Sequence, residues 1–347
     1  MTPHKIALLT DSCADLTPQA AAEHHIRIVP LRIRCRDGEF RDGVDIRARD
    51  IYRRLREGEL PHTSLPTGQD ISDALDAIAA EGYDGVIAVM LSGGLSGTYN
   101  MVRLLAEERR DLCVRVYDSV SGSLGVGMTI LQLAEDIRAG ASWEDLTQRR
   151  VPSLIRNTHP FFSVDTLEYL QKGGRIGKIT AVAGTMLQIK PLLTFAADGQ
   201  LRSVAKVRGR QQVISKLVEL TEQALDGGKR YNLAVANGGD AGPAGPAGRR
   251  PAGLRPPVGR RDGRHAQRLH RRRSSGRRGP GAGGLLNRSL FPKKPPPAQS
   301  VFCAGGGLFF CARLRSGGYA AGLATRNSMS LPPSSSGKAP YMVKLYI

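Results

Sequence analysis

The chain has 347 residues and a formal net charge of +19, from 50 Lys and Arg against 31 Asp and Glu. That length accommodates two domains of roughly 150 residues each, and the 5 cysteines, with no C-x-x-C spacing, exclude a disulfide framework and a zinc knuckle. The charge is confined to one end: residues 1–239 carry 30 basic and 29 acidic side chains, and residues 240–347 carry 20 and 2, so the pooled charge does not mark the whole molecule as a nucleic-acid binder.

The first residues hold no basic stretch followed by an apolar one. The apolar run at 6–9 is too short for a signal peptide or a membrane span. A reducing cytoplasm is the expected compartment.

Residues 5–10 read as a buried strand. Asp15-Leu16-Thr17-Pro18 then opens a helix, with Thr17 as N-cap and Pro18 at the first helical position. Leu31, Ile33 and Cys35 alternate with arginines, the period of a half-exposed strand. Helical spacing follows at 46–57 and 71–80. A continuous apolar strand at 84–90 runs into a loop at 92–100 and a helix to about 108. A strand at 114–117 precedes a helix over Leu124–Arg138. This βα rhythm predicts a mostly parallel sheet with helices on both faces, where ligands bind at the carboxyl ends of strands. A second, incomplete unit spans 151–239. It has strands at 161–164, 191–195, 201–208 and 232–236, and helices at 167–172, 180–187 and 211–225. Residues 240–347 hold 13 of the 21 prolines with Arg and Gly clusters, a composition expected to be disordered.

Two hydroxyl-rich stretches precede helical spacing: Thr63-Ser64-Leu65-Pro66-Thr67, and Ser92-Gly93-Gly94-Leu95-Ser96-Gly97-Thr98-Tyr99-Asn100. A helix start with Ser or Thr at its mouth suits an anion. Neither stretch contains Lys or Arg, and no Gly-Lys-Ser/Thr follows, which favours a carboxylate over a triphosphate. The plainer reading, that these hydroxyls only cap helices or turns, stays open on spacing alone. Asp11 reads as a brace for the turn after the first strand rather than a catalytic group. Lys172-Gly173-Gly174-Arg175-Ile176-Gly177-Lys178 is only loosely like a phosphate loop, because no Ser or Thr follows the lysine.

Together with Leu9-Thr10-Asp11-Ser12-Cys13-Ala14-Asp15-Leu16, Tyr117-Asp118-Ser119, the 167–176 stretch and Ile189-Lys190-Pro191, these motifs resemble the DegV family of fatty-acid-binding proteins, in family order over residues 5–239. The resemblance implies a two-domain α/β carrier without catalysis, cofactor or metal. A long-chain, palmitate-like acid would lie between domain 1–150, which carries the carboxylate-binding loops, and domain 151–239. Thr63 and Ser96 would bind its carboxylate. Ser64, Thr98 and Arg175 would support it or contact a partner, and several members present the acid to a fatty acid kinase. One departure stands out. The family's late His-Thr-Gly-Pro-Gly stretch, whose histidine supports the carboxylate, is missing, and His265 and His270 match no motif.

Two other classes compete. One is a small-molecule phosphoryl-transfer enzyme of dihydroxyacetone-kinase-like fold, disfavoured because no carboxylate cluster for Mg²⁺ is evident. The other is nucleic-acid binding through the basic tail, disfavoured because aromatic residues are nearly absent from its basic part. The abrupt change of composition after Gly239 is the signature expected of a reading-frame shift in a GC-rich gene. Translating the other two frames of the coding DNA beyond codon 239 should restore a strand and helix pattern ending in His-Thr-Gly-Pro-Gly. Two frames lacking it would refute the shift.

Overall fold

The computed structural model describes residues 5–179, 189–225, 230–237 and 308–315. In chain order the regular elements are β1 (Ile6–Asp11), α1 (Pro18–Glu23), β2 (Ile26–Val29), β3 (Arg32–Cys35), β4 (Gly38–Arg41), α2 (Ala48–Arg56), β5 (His62–Ser64), α3 (Gly68–Ala80), β6 (Gly85–Met90), α4 (Thr98–Glu107), β7 (Cys113–Asp118) and α5 (Leu124–Arg138). After a π-helical turn at Asp145–Arg150 come α6 (Val151–Arg156), β8 (Thr158–Ser163), α7 (Glu168–Lys172), β9 (Ile189–Phe195), β10 (Leu201–Arg208), α8 (Arg210–Ala224), β11 (Arg230–Asn237) and β12 (Leu308–Arg315).

The first sheet is parallel, in the order β2-β1-β6-β7. All six residues of β6 are buried, as expected of a parallel strand covered on both faces. Alternation sends Leu8, Ile87 and Val89 to one side, where they pack on α5, Trp143 and Leu154. Ala7, Leu9, Val86, Ala88 and Met90 go to the other, against Ile71, Leu75 and Ile78 of α3 and Val102 of α4. A small sheet, β4-β3-β5, stands beside it with Ile33 buried.

The second sheet differs from the first. Its order is β10-β9-β8-β12-β11, and every pairing is antiparallel. For β9 and β10 the reason is local: a short turn at Asp198-Gly199 joins them, which only antiparallel neighbours permit. Leu192 faces Val213 and Leu217 of α8, while Phe162, Leu193 and Leu201 face Met128 and Leu124 of α5. Residues 240–347 contribute β12, which lies between β8 and β11. The sequence pattern did not mark this strand. The helix expected at 180–187 lies outside the described residues.

Capping explains several boundaries. The Thr17 hydroxyl accepts from Ala20 N at 3.1 Å with Pro18 opening α1, and α1 ends at His24. Among the described residues no helix is long and apolar enough to cross a membrane.

Ile87 is wholly buried on the central strand. Ile87→Ala should destabilise the fold by about 2–5 kcal/mol in urea unfolding. Val44→Ala, at a position 52% exposed, should change stability by no more than about 0.5 kcal/mol.

Candidate functional site

The loop after β6 hangs from two carboxylates at the ends of its neighbouring strands. Asp11 Oδ2, closing β1, accepts from Leu91 N at 2.7 Å. Asp118 Oδ2, closing β7, accepts from Gly93 N at 3.1 Å. The Ser121 carbonyl accepts from Ser92 N at 2.9 Å. Asp11 Oδ1 also accepts from Cys13 N at 3.0 Å, so the aspartate does brace the turn.

Past this anchor the loop curls into α4. The Ser92 carbonyl accepts from Leu95 N and Ser96 N at 3.0 and 3.1 Å. Ser96 Oγ lies 2.8 Å from the Thr98 hydroxyl and accepts from Thr98 N at 3.3 Å. Thr98 is fully buried, so its hydroxyl orients Ser96. The first N–H groups of α4, like those of any helix, lack intrahelical acceptors and face the loop end positively.

The first hydroxyl stretch precedes a helix as expected, but Thr67 rather than Thr63 stands at its start. Thr63 does not start a helix. It lies in β5, opposite Ile33 of β3, and its hydroxyl has no hydrogen-bond partner among the described residues. The cap of α3 is Thr67, whose Oγ1 accepts from Asp70 N while Asp70 Oδ2 accepts from Thr67 N. Ser64 is exposed. Three residues are too few to show a period, which is why β5 escaped the sequence pattern. The two stretches nevertheless meet: the side chain of Leu65 lies 3.5 Å from where a Cβ on Gly97 would be.

The turn after α7 brings a cation to the loop before α4. Arg175, half-buried, donates from Nε to the Leu95 carbonyl at 3.2 Å and from its guanidinium to the Gly173 carbonyl. Arg32, opposite Ser64 in the small sheet, is committed elsewhere, its Nε donating to Asp70 Oδ2 at 3.0 Å. Burial raises the Asp70 carboxyl, but the Thr67 hydroxyl and Arg32 outweigh it and hold the group below its ordinary value. Beside the Arg175 contact, Leu95 of the loop and Leu124 and Met128 of α5 join Phe162, Leu170, Leu193, Phe195 and Leu201 in one apolar cluster on the face of the second sheet.

Other chemistry is less well provided for. Cys35 Sγ and carboxylate oxygens of Asp37 and Glu59 lie within 4.8 Å of one another. Arg54 already pairs with both carboxylates, at 2.7 and 3.1 Å, so the protein supplies the cation itself. Burial pushes the Cys13 thiol up, with Asp11 and Asp15 adding to the effect, which opposes a thiolate nucleophile. A cleft of about 350 Å³ at β7 is lined by Cys113, Arg115, Tyr117, Trp143, Glu144, Thr147 and Gln148 and includes none of the candidate hydroxyls.

Comparison with known proteins decides the family. The profile described as "Uncharacterised protein, DegV family" matches residues 5–245. The chain belongs to the DegV family. A DegV domain-containing protein of Clostridium perfringens is 38% identical over 235 residues, 67% of this chain and 82% of the relative. One from Deinococcus radiodurans is 35% identical over 238 residues, 68% and 83% of the two chains. Among solved structures, a DegV family protein from Thermus thermophilus, described for its fatty acid binding, superposes with a TM-score of 0.63 at 34% identity, covering 68% of this chain and 84% of its own. DegV of Bacillus subtilis, described as a fatty acid binding protein, gives 0.61 at 29% identity over 67% and 82%. A stearic acid-binding protein from Eubacterium ventriosum gives 0.61 at 28% identity over 67% and 82%.

Of the residues the DegV motifs point to, the structure joins Ser96 to Thr98 and brings Arg175 to the neighbouring Leu95 carbonyl, while Thr63 is linked to this loop only through the contact of Leu65 with Gly97. The motifs do not mark Ser92, Gly94 and Asp118 as site residues. The Gly93-Gly94 doublet was the available signal, since adjacent glycines mark close backbone approach.

Burial pushes the Asp11 carboxyl up to about 6 despite its bonds from Leu91 and Cys13, with the charge of Asp42 adding to the rise. The folded chain therefore holds this proton more tightly than the unfolded one, whose ordinary value is 3.8. The stability contributed by the neutral form is complete below about pH 3.8 and lost as pH rises through about 6. That loss is on the order of 3 kcal/mol. Asp11→Asn should flatten the dependence of unfolding free energy on pH between 4 and 7, with the slope rather than the absolute stability as the readout.

Proposed function

We propose that this DegV protein binds one long-chain, palmitate-like fatty acid between its two sheets and acts as a carrier rather than a catalyst. The observation that carries this reading is convergence: Leu65, next to the β5 strand bearing Thr63, packs on Gly97 at the α4 start bearing Ser96, and Arg175 of the turn after α7 donates to the carbonyl of Leu95, which belongs to the apolar cluster. The fatty-acid-binding relatives from Thermus thermophilus and Bacillus subtilis support it.

The chemistry suits a carboxylate. Thr63 and Ser96 donate hydroxyl hydrogen bonds, Thr98 orients Ser96, and Arg175 offsets the charge. Such charge-assisted bonds are roughly twice as strong as neutral ones. The acyl chain supplies most of the affinity, at about 0.8 kcal/mol per buried CH₂ before the costs of association. In this reading domain 1–150 presents the carboxylate loops and domain 151–239 covers the chain. The surface around Gly173-Gly174-Arg175 is where a fatty acid kinase would dock, in the cytoplasm.

Native mass spectrometry of the purified protein should retain an adduct of roughly 250–280 Da, the mass of a long-chain acid. The Thr63→Ala, Ser96→Ala double variant should lose it. Unchanged retention in that variant would refute the carboxylate assignment.

A further inference from the structure

We infer that Ser92 is the positioning residue of a latch between the carboxylate loop and the tip of the β9–β10 hairpin, and that this latch sets how long a bound acid resides. The ligand part of this inference rests on the fatty-acid reading above. Ser92 Oγ donates to the Gly199 carbonyl at 2.8 Å, and Ser92 is wholly buried. A buried hydrogen bond of this kind is sheltered from competing water, and losing it leaves a polar atom unpaired.

The two backbones around it are in close contact. A Cβ on Gly94 would lie 2.4 Å from the Gly199 carbonyl carbon and 2.6 Å from the Asp198 oxygen and the Gln200 nitrogen. A Cβ on Gly199, itself at φ +77°, would lie 2.1 Å from Ser92 Oγ. The hairpin tip is stiffened from its own side. Lys178 Nζ pairs with Asp198 Oδ2 at 2.5 Å, and Asp198 Oδ1 accepts from Gln200 N at 3.2 Å.

The latch is wired to the proposed carboxylate site by backbone. Ser92 Oγ accepts from Gly94 N at 3.2 Å, and the Ser92 carbonyl accepts from Leu95 N and Ser96 N. Moving Ser92 therefore moves Ser96 and the Leu95 carbonyl on which Arg175 rests. An acyl chain lying between the sheets leaves only when they part, and parting breaks this contact. Ser92 touches no ligand in this scheme; it acts through the loop it holds.

The test uses the full chain with Ser92→Ala and Gly199→Ala, which break the latch from opposite sides. Amide hydrogen exchange over residues 93–97 of the ligand-free protein should rise about tenfold in Ser92→Ala. Release of cis-parinaric acid, a fluorescent long-chain fatty acid, should speed up by a similar factor. The double variant should release it no faster than the faster single, because both substitutions remove one contact. Unchanged exchange overturns the latch, and faster exchange with unchanged release overturns its control of residence. If the wild-type chain binds no parinaric acid, the fatty-acid reading and the residence control fail together, and the exchange measurement alone decides whether the latch exists. Should Gly199→Ala fail to fold, Ser92→Ala carries the test.

Discussion

The loop after β6 has no room for a side chain on its inner bends, and much else follows from that. Asp118 Oδ2 stands 2.8 Å from where a Cβ on Gly93 would be, and the Asp198-Gly199-Gln200 backbone crowds Gly94. Asp11 from β1, Asp118 from β7, the Ser121 carbonyl and Gly199 at the tip of the β9–β10 hairpin hold the loop. Held in this way, the loop delivers Ser96 to the start of α4 and turns the Leu95 carbonyl toward Arg175. A parallel sheet makes this possible, because β1, β6 and β7 all end on the same side and their terminal residues meet there.

Charge is distributed in the same economical way. Arg32 lies near the hydroxyl stretch of β5 but is held by Asp70, which also completes the cap of α3. Arg175 lies across the interface and bonds only carbonyl oxygens in its described hydrogen bonds, so its positive charge is not cancelled there. Asp11 is the costly member. Two N–H donors do not repay its burial, and its carboxyl rises to about 6. The aspartate is nonetheless what joins the end of β1 to the start of the loop.

Much of the first sheet was legible in the chain. The run Gly85–Met90 is apolar at every position and forms the central buried strand. Leu124–Arg138 is a helix with the bounds its spacing predicts, and Thr17 with Pro18 caps α1 as its residue types require. Short or irregular elements were not legible. β5 has three residues and β4 carries no alternation, and both exist because β3 offers them backbone partners. The strand β12 is a stronger case. Its place between β8 and β11 joins residues more than seventy positions apart along the chain, a pairing no local pattern encodes. The site was half legible: the hydroxyl types and their order were plain, but not that Thr63 stands on a strand while Thr67 does the capping.

The sequence by itself determined the classes of residue available for an anion, the βα rhythm behind the parallel sheet β2-β1-β6-β7, and the concentration of positive charge beyond residue 239. Those are local properties, set by side-chain chemistry and by hydrophobic period. Tertiary structure decided that β12 enters the second sheet between β8 and β11, that Leu65 leans on Gly97, and that Ser92 reaches Gly199 across 107 residues of chain. Each depends on the close approach of backbones distant in sequence. Glycine permits such an approach by lacking a Cβ, but it does not say which partner will fill the space.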